Sequence, residues 1–579
     1  MSLSDEKTSS KGEHEHQDFE FNRHDVAGVE YAGILGIFKS PKILGITSLA
    51  TLCGFLFGYD QGVVGNVLVL QRFGADFPRV YMDASIKGWF VSTLLLGAWL
   101  GALISGPICD RIGRKRDIQY QTILFVIGSA LQTGAVSEAY LFAGRFIAGL
   151  SIGSLTHIAP MYIAELSPAN LRGALVALQQ LSITLGILFS YWIAYGTSHI
   201  GGIRCAPDVP YTGPISNGEA TFDAYNDVPA GGCTGQSEAA WRIPVGLQIL
   251  PGIILGLGMF FMPYSPRWLV EVGRDEEAQQ TLAWLRSKPV NSPLVIHEFI
   301  EIKAEIVTAR EIREAHAVGK SGFAKVLQPY KELFSSKSNF HRLFMGCVVM
   351  FYQQFIGCNA IIYYAPTIFA QLGMDPNTTS LLATGIYGVV NTLSTLPAVF
   401  FLDRIGRRPL LMMGAVGCCF SLVVVGSLIA AFGKDWPNHK AAGNAAIAFV
   451  FVYDFWFSLS WAPIGWVLPS EIFNLATRST GVSITTSTTW MSNFIIGVVS
   501  PLMLENIPNG GTYFFFAGFA ILGFFTVYFL LPETRLKTLE EMDEVFGQQT
   551  SIQDKEVAER VWRNVSQAET TKLSSAQVA

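Results

Sequence analysis

The chain has 579 residues, half of them hydrophobic and only 15% charged, with a mean hydropathy of +0.36, where soluble domains average about 25% charged residues. That deficit, with 56 glycines, excludes an ordinary soluble globule and points to a surface turned largely toward lipid. A net charge of −5 makes no case for a polyanionic partner, and no basic patch interleaved with aromatics speaks for nucleic acid.

Residues 1–43 open MSLSDEKTSSKGEHEHQDFEFNRHD, polar and of both charge signs, and read as a disordered cytoplasmic tail with no cleaved signal peptide. His14 and His16 in that tail read as solvated residues, not a metal site. A bilayer core of roughly 30 Å takes about 20 apolar residues per helix. Such runs fall at 44–68, 86–107, 118–137, 140–163, 174–196 and 241–262, then at 343–371, 380–402, 410–432, 443–468, 480–503 and 513–531. The reading is an all-α membrane protein of twelve spans in two six-helix bundles, 44–262 and 343–531. Between them lies a charged cytoplasmic linker, 263–342, whose AEIVTAREIREAHA reads as a surface helix, and a cytoplasmic tail follows at 532–579.

Lys and Arg in short loops set the orientation. DRIGRKRD follows the second span and DRIGRRP the eighth, which places both loops and both termini in the cytoplasm. The loop after the fifth span then lies outside, where Cys205 and Cys233 either form a disulfide or remain two free thiols. Asn377-Thr378-Thr379 is a glycosylation sequon in another external loop. Asn564-Val565-Ser566 also matches but lies in the cytoplasmic tail.

The halves repeat one another. Asp110, Arg111 and Arg114 match Asp403, Arg404 and Arg407, and Glu165 with Arg172 matches Glu471 with Arg478. Matched charges at corresponding loops read as salt-bridge clusters that close an inner gate. Two repeats related by an axis along the membrane normal form a transporter plan, with the substrate held between them near the midplane.

Two kinds of polar residue interrupt the apolar runs. Asp60 stands deep in the first span, where a charge costs at least ~2.5–3.5 kcal/mol and must face the bundle interior or a cavity. Burial penalises its charged form and a nearby cation favours it, so a balanced carboxyl can load and release a proton. Arg145, in the fourth span, is the natural partner; the alternatives are a fixed ion pair and a helix-packing anchor. The second kind is amide: Gln180, Gln353, Gln354, Asn359, Asn391 and Asn493. Each amide both donates and accepts, as sugar hydroxyls require. Asn359 and Tyr363, four apart, share a helix face, and Gly357 suggests a broken helix. Trp466 lies between Pro463 and Pro469, which should kink the tenth span. Its indole is placed to stack on a sugar ring and gate the inner side, with Trp490 packing below the pocket; the alternative for both, anchoring at the membrane interface, is disfavoured because they sit well inside their runs.

The chain resembles the sugar porter branch of the major facilitator superfamily from about 45 to 545. The resemblance rests on GYDQGVVG (58–65), the two DRIGR loops, GRFIAG (144–149), PMYIAELSPANLRG (160–173), QQLSITLG (179–186), YSPRW (264–268), QQFIGCNAIIYYAP (353–366) and PETRLKTLEEMDEVF (532–546). YDQGV looks more like fungal-type members, the monosaccharide/proton symporters. The family implies alternating access by two rocking bundles, a latch built partly from the linker, and a cavity also lined by Phe57 and Tyr364. It further implies that Asp60 pairs with Arg145 until protonation frees the pair and favours sugar binding. Thr489 stands where other members often carry Asn or Gln. PYSPR replaces the commoner PESPR and PETR the commoner PETKG, both at the latch.

These features predict a plasma-membrane, multi-pass, monomeric carrier. It imports a monosaccharide, a hexose such as glucose or else xylose, with the proton as coupling ion and no other cofactor. A polyol, sugar-acid or disaccharide porter and a passive facilitator share the plan. A non-transporting sensor is disfavoured by the short tail. No Walker loop, nucleophile elbow or HExxH motif is present, so an enzyme is not expected.

Overall fold

The computed structural model describes residues 41–168, 172–216, 219–316, 328–374, 379–433, 435–473, 477–535, 542, 545–546 and 552–578. Six long helices form the first half: α1 (Pro41–Val67), α2 (Ala84–Ile112), α3 (Arg114–Thr133), α4 (Glu138–Leu166), α5 (Arg172–Thr197) and α6 (Ala239–Phe261). Six more form the second: α7 (Lys337–Gln371), α8 (Thr379–Ile405), α9 (Arg407–Phe432), α10 (Lys440–Ile472), α11 (Arg478–Asn506) and α12 (Gly511–Leu530). Among the described residues, nine helices are long and apolar enough to cross a membrane. Two others carry their polarity inward or at one end. α3 opens RKRDIQYQ, and α11 holds buried Thr485, Thr489, Ser492 and Asn493. The outer faces of α6 and α12 instead expose Phe261 and Phe529 at 84% and 73%, as lipid contact requires.

Several helices outrun the apolar runs that reveal them. α2 and α8 continue through the charged DRIGR turns, because nothing opposes helix beyond the bilayer until Gly113 (φ +86°) and Gly406 (φ +101°) end them. These positive-φ glycines also start α3 and α9, so each turn is a tight hinge only glycine adopts at little cost. Glu533 of the PETR motif accepts from the Arg407 and Arg408 amides at 3.0 and 3.1 Å, closing the start of α9.

α1 carries Gly54, Gly58 and Gly62 on one face, and that stripe admits α5 at backbone distance. A Cβ on Gly58 would sit 1.9 Å from the Ile183 carbonyl oxygen. Near the other end of α1, a Cβ on Gly65 would meet the Tyr363 carbonyl at 2.6 Å, so α1 also touches the second bundle closely.

The end of the molecule bearing the DRIGR turns is capped by helices Pro266–Glu271, Asp275–Arg286, Pro293–His316 and Gln328–Ser335. The first three bury Trp268, Leu269, Leu282 and Phe299 in a small core of their own. Tyr264, the departure in PYSPR, stacks on Trp268. Lys115, Arg116 and Arg274 lie 5.0, 5.8 and 5.5 Å from its ring. The aromatic face thus meets by cation–π attraction the cations a carboxylate would otherwise pair. A last helix, Ile552–Val578, rests on Pro293–His316 through Lys303–Glu569 (2.8 Å) and Arg560–Glu311 (2.6 Å). The sequence reading gave no helix there.

At the opposite end, Cys205 and Cys233 are joined by a disulfide, and strands Ile215–Ser216 and Glu219–Ala220 pair antiparallel. Asp227 anchors this loop, accepting from the Thr212 and Asp223 amides and the Thr212 hydroxyl. Burial opposes its ionisation, but those hydrogen bonds outweigh it and hold the carboxyl below its usual value. A depressed carboxyl contributes stability above its unfolded pKa and loses it as pH falls through the folded one. The loop is therefore expected to resist protease equally at neutral and mildly acidic pH. Asp227→Ala should open it to cleavage at neutral pH several-fold faster by time-course digestion; an unchanged rate would show the anchor is dispensable.

Candidate functional site

α1 and α4 bring Asp60 and Arg145 together inside the first bundle. Arg145 Nη2 lies 3.6 Å from Asp60 Oδ2, with both side chains at most 3% exposed. The guanidinium donates to the Val91 carbonyl at 3.2 Å and lies 5.0 Å over the Phe90 ring. Neither Asp60 oxygen has a hydrogen-bond partner among the described residues. The pair is thus an attraction across a gap, and a buried pair of that kind is close to break-even against the cost of desolvation. A proton can part it without tearing a network.

The second bundle contributes the amides through two interruptions. α7 breaks at Gly357 (φ +102°) and again loosens at Tyr364 (φ −119°, ψ 19°), two residues before Pro366. The first break turns Gln353, Gln354 and Asn359 toward a common space. α10 breaks at Ser460 (φ −124°, ψ −79°), just ahead of Pro463, in the span the prolines are expected to kink. The reason is the ring of Pro463, which lacks an N–H for the Leu459 carbonyl and crowds it.

Around the midplane these residues form one chain of hydrogen bonds. Gln61 Nε2 donates to Asn359 Oδ1 and to Tyr363 Oη, both at 3.1 Å. Asn359 donates to Gln354, Gln354 to Gln353, and Gln353 to the Trp461 and Ala462 carbonyls of α10. Asn493 donates to Tyr363 from α11 at 3.0 Å. Gln61 therefore bridges the two bundles, next in sequence to Asp60. The sequence reading passed over it, although it is an amide in the same apolar run.

A narrow cavity of about 40 Å³ lies within this array. Phe57, Gln180, Gln353, Gln354, Asn359, Asn391, Trp466 and Thr489 of the expected residues line it, and so does Gln61. Four expected residues stand behind that surface. Trp490 is fully buried, with its ring edge-on to Phe57 at 4.8 Å. Tyr363 and Asn493 form the bridge just described. Tyr364 donates to the Gly497 carbonyl of α11 at 2.9 Å and turns away from the cavity. Thr489 is satisfied by its own helix through Thr485.

The upper half of α7 separates this cavity from a vestibule of about 1380 Å³ under the disulfide loop. Tyr191 donates to the Ile362 carbonyl at 2.8 Å there, fastening α5 to α7. On the other side, Trp466 lines both the central cavity and a second one of about 200 Å³ toward the DRIGR turns. That placement makes its indole the partition between them.

Part of the repeated charge set lines this second cavity. Arg114 pairs with Glu165 at 3.0 Å and with Asp110 at 3.3 Å. The equivalent Arg407 grips Glu471 with two nitrogens, at 2.7 and 3.2 Å. Each pair ties helices of its own bundle. Asp110, Arg114, Glu165 and Arg478 face the cavity together, whereas Arg111 and Arg404 are exposed. The side chains of Arg172 and Asp403, and the whole of Asn377, lie outside the described residues.

Another carboxyl buried inside an apolar run escaped the sequence reading. Asp454 of α10 is fully buried and accepts from Asn391 Nδ2 at 2.7 Å. Its signal was the one that revealed Asp60: an acid inside an apolar run, here FVFVYDFWF.

The family model described as "Sugar (and other) transporter" matches residues 46–546. A probable quinate permease of Neosartorya fischeri is 32% identical over 516 residues, covering 87% of each chain. The MFS glucose transporter mfs1 of Aspergillus flavus is 33% identical over 523 residues, 88% of this chain and 90% of its own. Among solved structures, the MFS proton:xylose symporter XylE bound to 6-bromo-6-deoxy-D-glucose superposes with a TM-score of 0.67. It is 26% identical, with 87% of this chain and 99% of that one covered. XylE from E. coli in a partially occluded inward-open conformation gives 0.65 at 26% identity, with 86% and 100% covered.

Proposed function

Since the chain belongs to the sugar transporter family of the major facilitator superfamily, we propose that it imports a monosaccharide, a hexose such as glucose or else xylose, together with a proton. The observation that carries this reading is the adjacency of the loose Asp60–Arg145 pair to Gln61, the amide that holds the two bundles together. Protonation of Asp60 would remove its hold on Arg145 and let α1 shift against α4. Gln61, one residue on, would move with it and release Asn359 and Tyr363. Proton loading and the opening of the sugar site would then be one displacement of one helix.

The carrier works as a plasma-membrane monomer with both termini cytoplasmic, so the disulfide loop faces outside and the DRIGR turns inside. The Arg114–Glu165 and Arg407–Glu471 pairs shape the inner gate, and Trp466 closes the floor of the sugar site. The proton is the only coupling ion in this account.

The relatives named quinate permeases raise a second reading, a carboxylated polyol. No charged side chain lines the central cavity among the described residues, and a buried carboxylate ligand would need a paired cation. The neutral amides and the Trp466 face favour an uncharged sugar.

The test is uptake in a host stripped of its own sugar carriers. Labelled glucose, xylose, galactose, fructose, glycerol and quinate would be supplied with and without protonophore. Uptake of a neutral sugar that collapses with protonophore is expected; uptake of quinate alone would establish the second reading, and protonophore-resistant equilibration would make this a facilitator. Gln354→Ala should raise the KM for the transported sugar about 5- to 150-fold, since one lost polar pocket contact costs ~1–3 kcal/mol. A wild-type KM would place Gln354 outside the sugar site.

A further inference from the structure

Asp454 and Asn391 form a unit that the proton-and-sugar reading leaves unused. Asp454 lies in α10 with no exposed surface. One oxygen, Oδ1, accepts from Asn391 Nδ2 at 2.7 Å and, at 3.5 Å, from Ser458 Oγ. The other oxygen is faced by the Tyr387 hydroxyl but meets no donor in good hydrogen-bond geometry among the described residues, and Asn391 Oδ1 has no partner among them. The titratable groups facing it come from five helices: Tyr191 of α5, Cys358 of α7, Tyr387 of α8, Cys418 of α9 and Tyr453 of α10. Tyrosine hydroxyls and thiols are neutral at working pH, so among the described residues no cation stands against this acid as Arg145 stands against Asp60. A fully buried carboxylate without a counter-charge is costly in a membrane interior, and taking up a proton removes that cost.

We propose that Asp454 is a second proton-binding carboxyl, in the C-terminal bundle, whose charge state decides whether Asn391 offers the sugar an acceptor or a donor. The inference rests on the sugar reading, because it needs Asn391 to meet the substrate; that side chain lines the central cavity. An ionised carboxyl only accepts, so it holds the Asn391 amino group and leaves the amide oxygen for the cavity. When a proton from solvent adds to Oδ2 or Oδ1, the resulting O–H donates to the amide oxygen. The amide then turns over and presents its N–H groups to the sugar. No bond other than the O–H forms, and nothing is oxidised or reduced. A sugar hydroxyl satisfies both states, whereas a fluorine in its place can only accept. Acid should therefore favour the analogue fluorinated at the hydroxyl that meets Asn391.

The probes are the singly fluorinated deoxyglucoses, each competing with labelled glucose between about pH 5 and 8. For one position, affinity relative to glucose is expected to improve on acidification by about fivefold or more, the value of one hydrogen bond gained. Asp454→Asn should flatten that dependence while uphill accumulation persists, and Asp454→Glu should restore it. A ratio that is flat for every position in the unmodified protein, or unchanged in Asp454→Asn, overturns the proposal. If glucose itself is not carried, or Asp454→Asn does not fold, infrared difference spectra of purified Asp60→Asn protein decide it instead. A protonated buried carboxyl band that titrates with pH is expected there, and its absence overturns the proposal. Loss of protonophore sensitivity with a pH-dependent ratio would sink the symport reading alone; intact symport with a flat ratio would sink this one alone.

Discussion

Asp60→Asn is expected to abolish accumulation of sugar against its gradient while leaving exchange of internal for external sugar intact. Asparagine fills the same space, so α1 keeps its packing against α4 and α5. What it loses is the ability to alternate between charged and neutral beside Arg145, which lies 3.6 Å away. One proton moving through a potential of 100 mV supplies ~2.3 kcal/mol, enough for about 50-fold accumulation at one proton per sugar. That ratio should fall to unity in the variant. Counterflow separates this from misfolding, because exchange needs both gates and the sugar site but no net proton movement. Uphill uptake at the wild-type ratio would reduce Asp60 to a fixed structural charge.

Gly58→Val should remove the carrier from the membrane altogether. The Cβ it introduces would lie 1.9 Å from the Ile183 carbonyl oxygen, which is backbone and cannot rotate aside. α1 and α5 would have to separate along their length, pulling Phe57, Asp60 and Gln61 away from Gln180. Overpacking of this kind costs ~1–3 kcal/mol where side chains can yield, and here none can. Gly196 of α5 is the control, since nothing lies within 4 Å of a Cβ placed on it. Gly196→Ala is expected to keep wild-type surface protein and uptake. Normal surface expression of Gly58→Val would mean that the close helix crossing is not required.

The two-bundle plan was legible in the sequence because each determinant is local. Apolar runs mark spans, basic turns mark one side, and repeated Asp-Arg-Ile-Gly-Arg marks the two halves. The break at Gly357 was legible for the same reason. The break of α10 was legible too, since a proline disrupts the turn before it and Ser460 lies just ahead of Pro463. Gln61 and Asp454 were missed. Each sits in an apolar run that announced it, but its importance comes from partners 298 and 63 positions away, Asn359 and Asn391. Tyr364 shows the converse. Its neighbour Tyr363 meets Gln61, yet the loosened turn at Tyr364 aims its own hydroxyl at Gly497. The cradle of three cations around Tyr264 was likewise invisible, since Lys115 and Arg274 converge only when the linker folds under α3.

The central claim is that sugar and proton move together, and purified protein in sealed vesicles tests it most directly. A pH gradient, acid outside, would be imposed with equal labelled sugar on both sides, and internal sugar followed as the gradient decays. The account predicts a transient accumulation inside that is abolished by protonophore and absent in Asp60→Asn. Internal sugar that stays level throughout, in protein shown to exchange sugar, would contradict it.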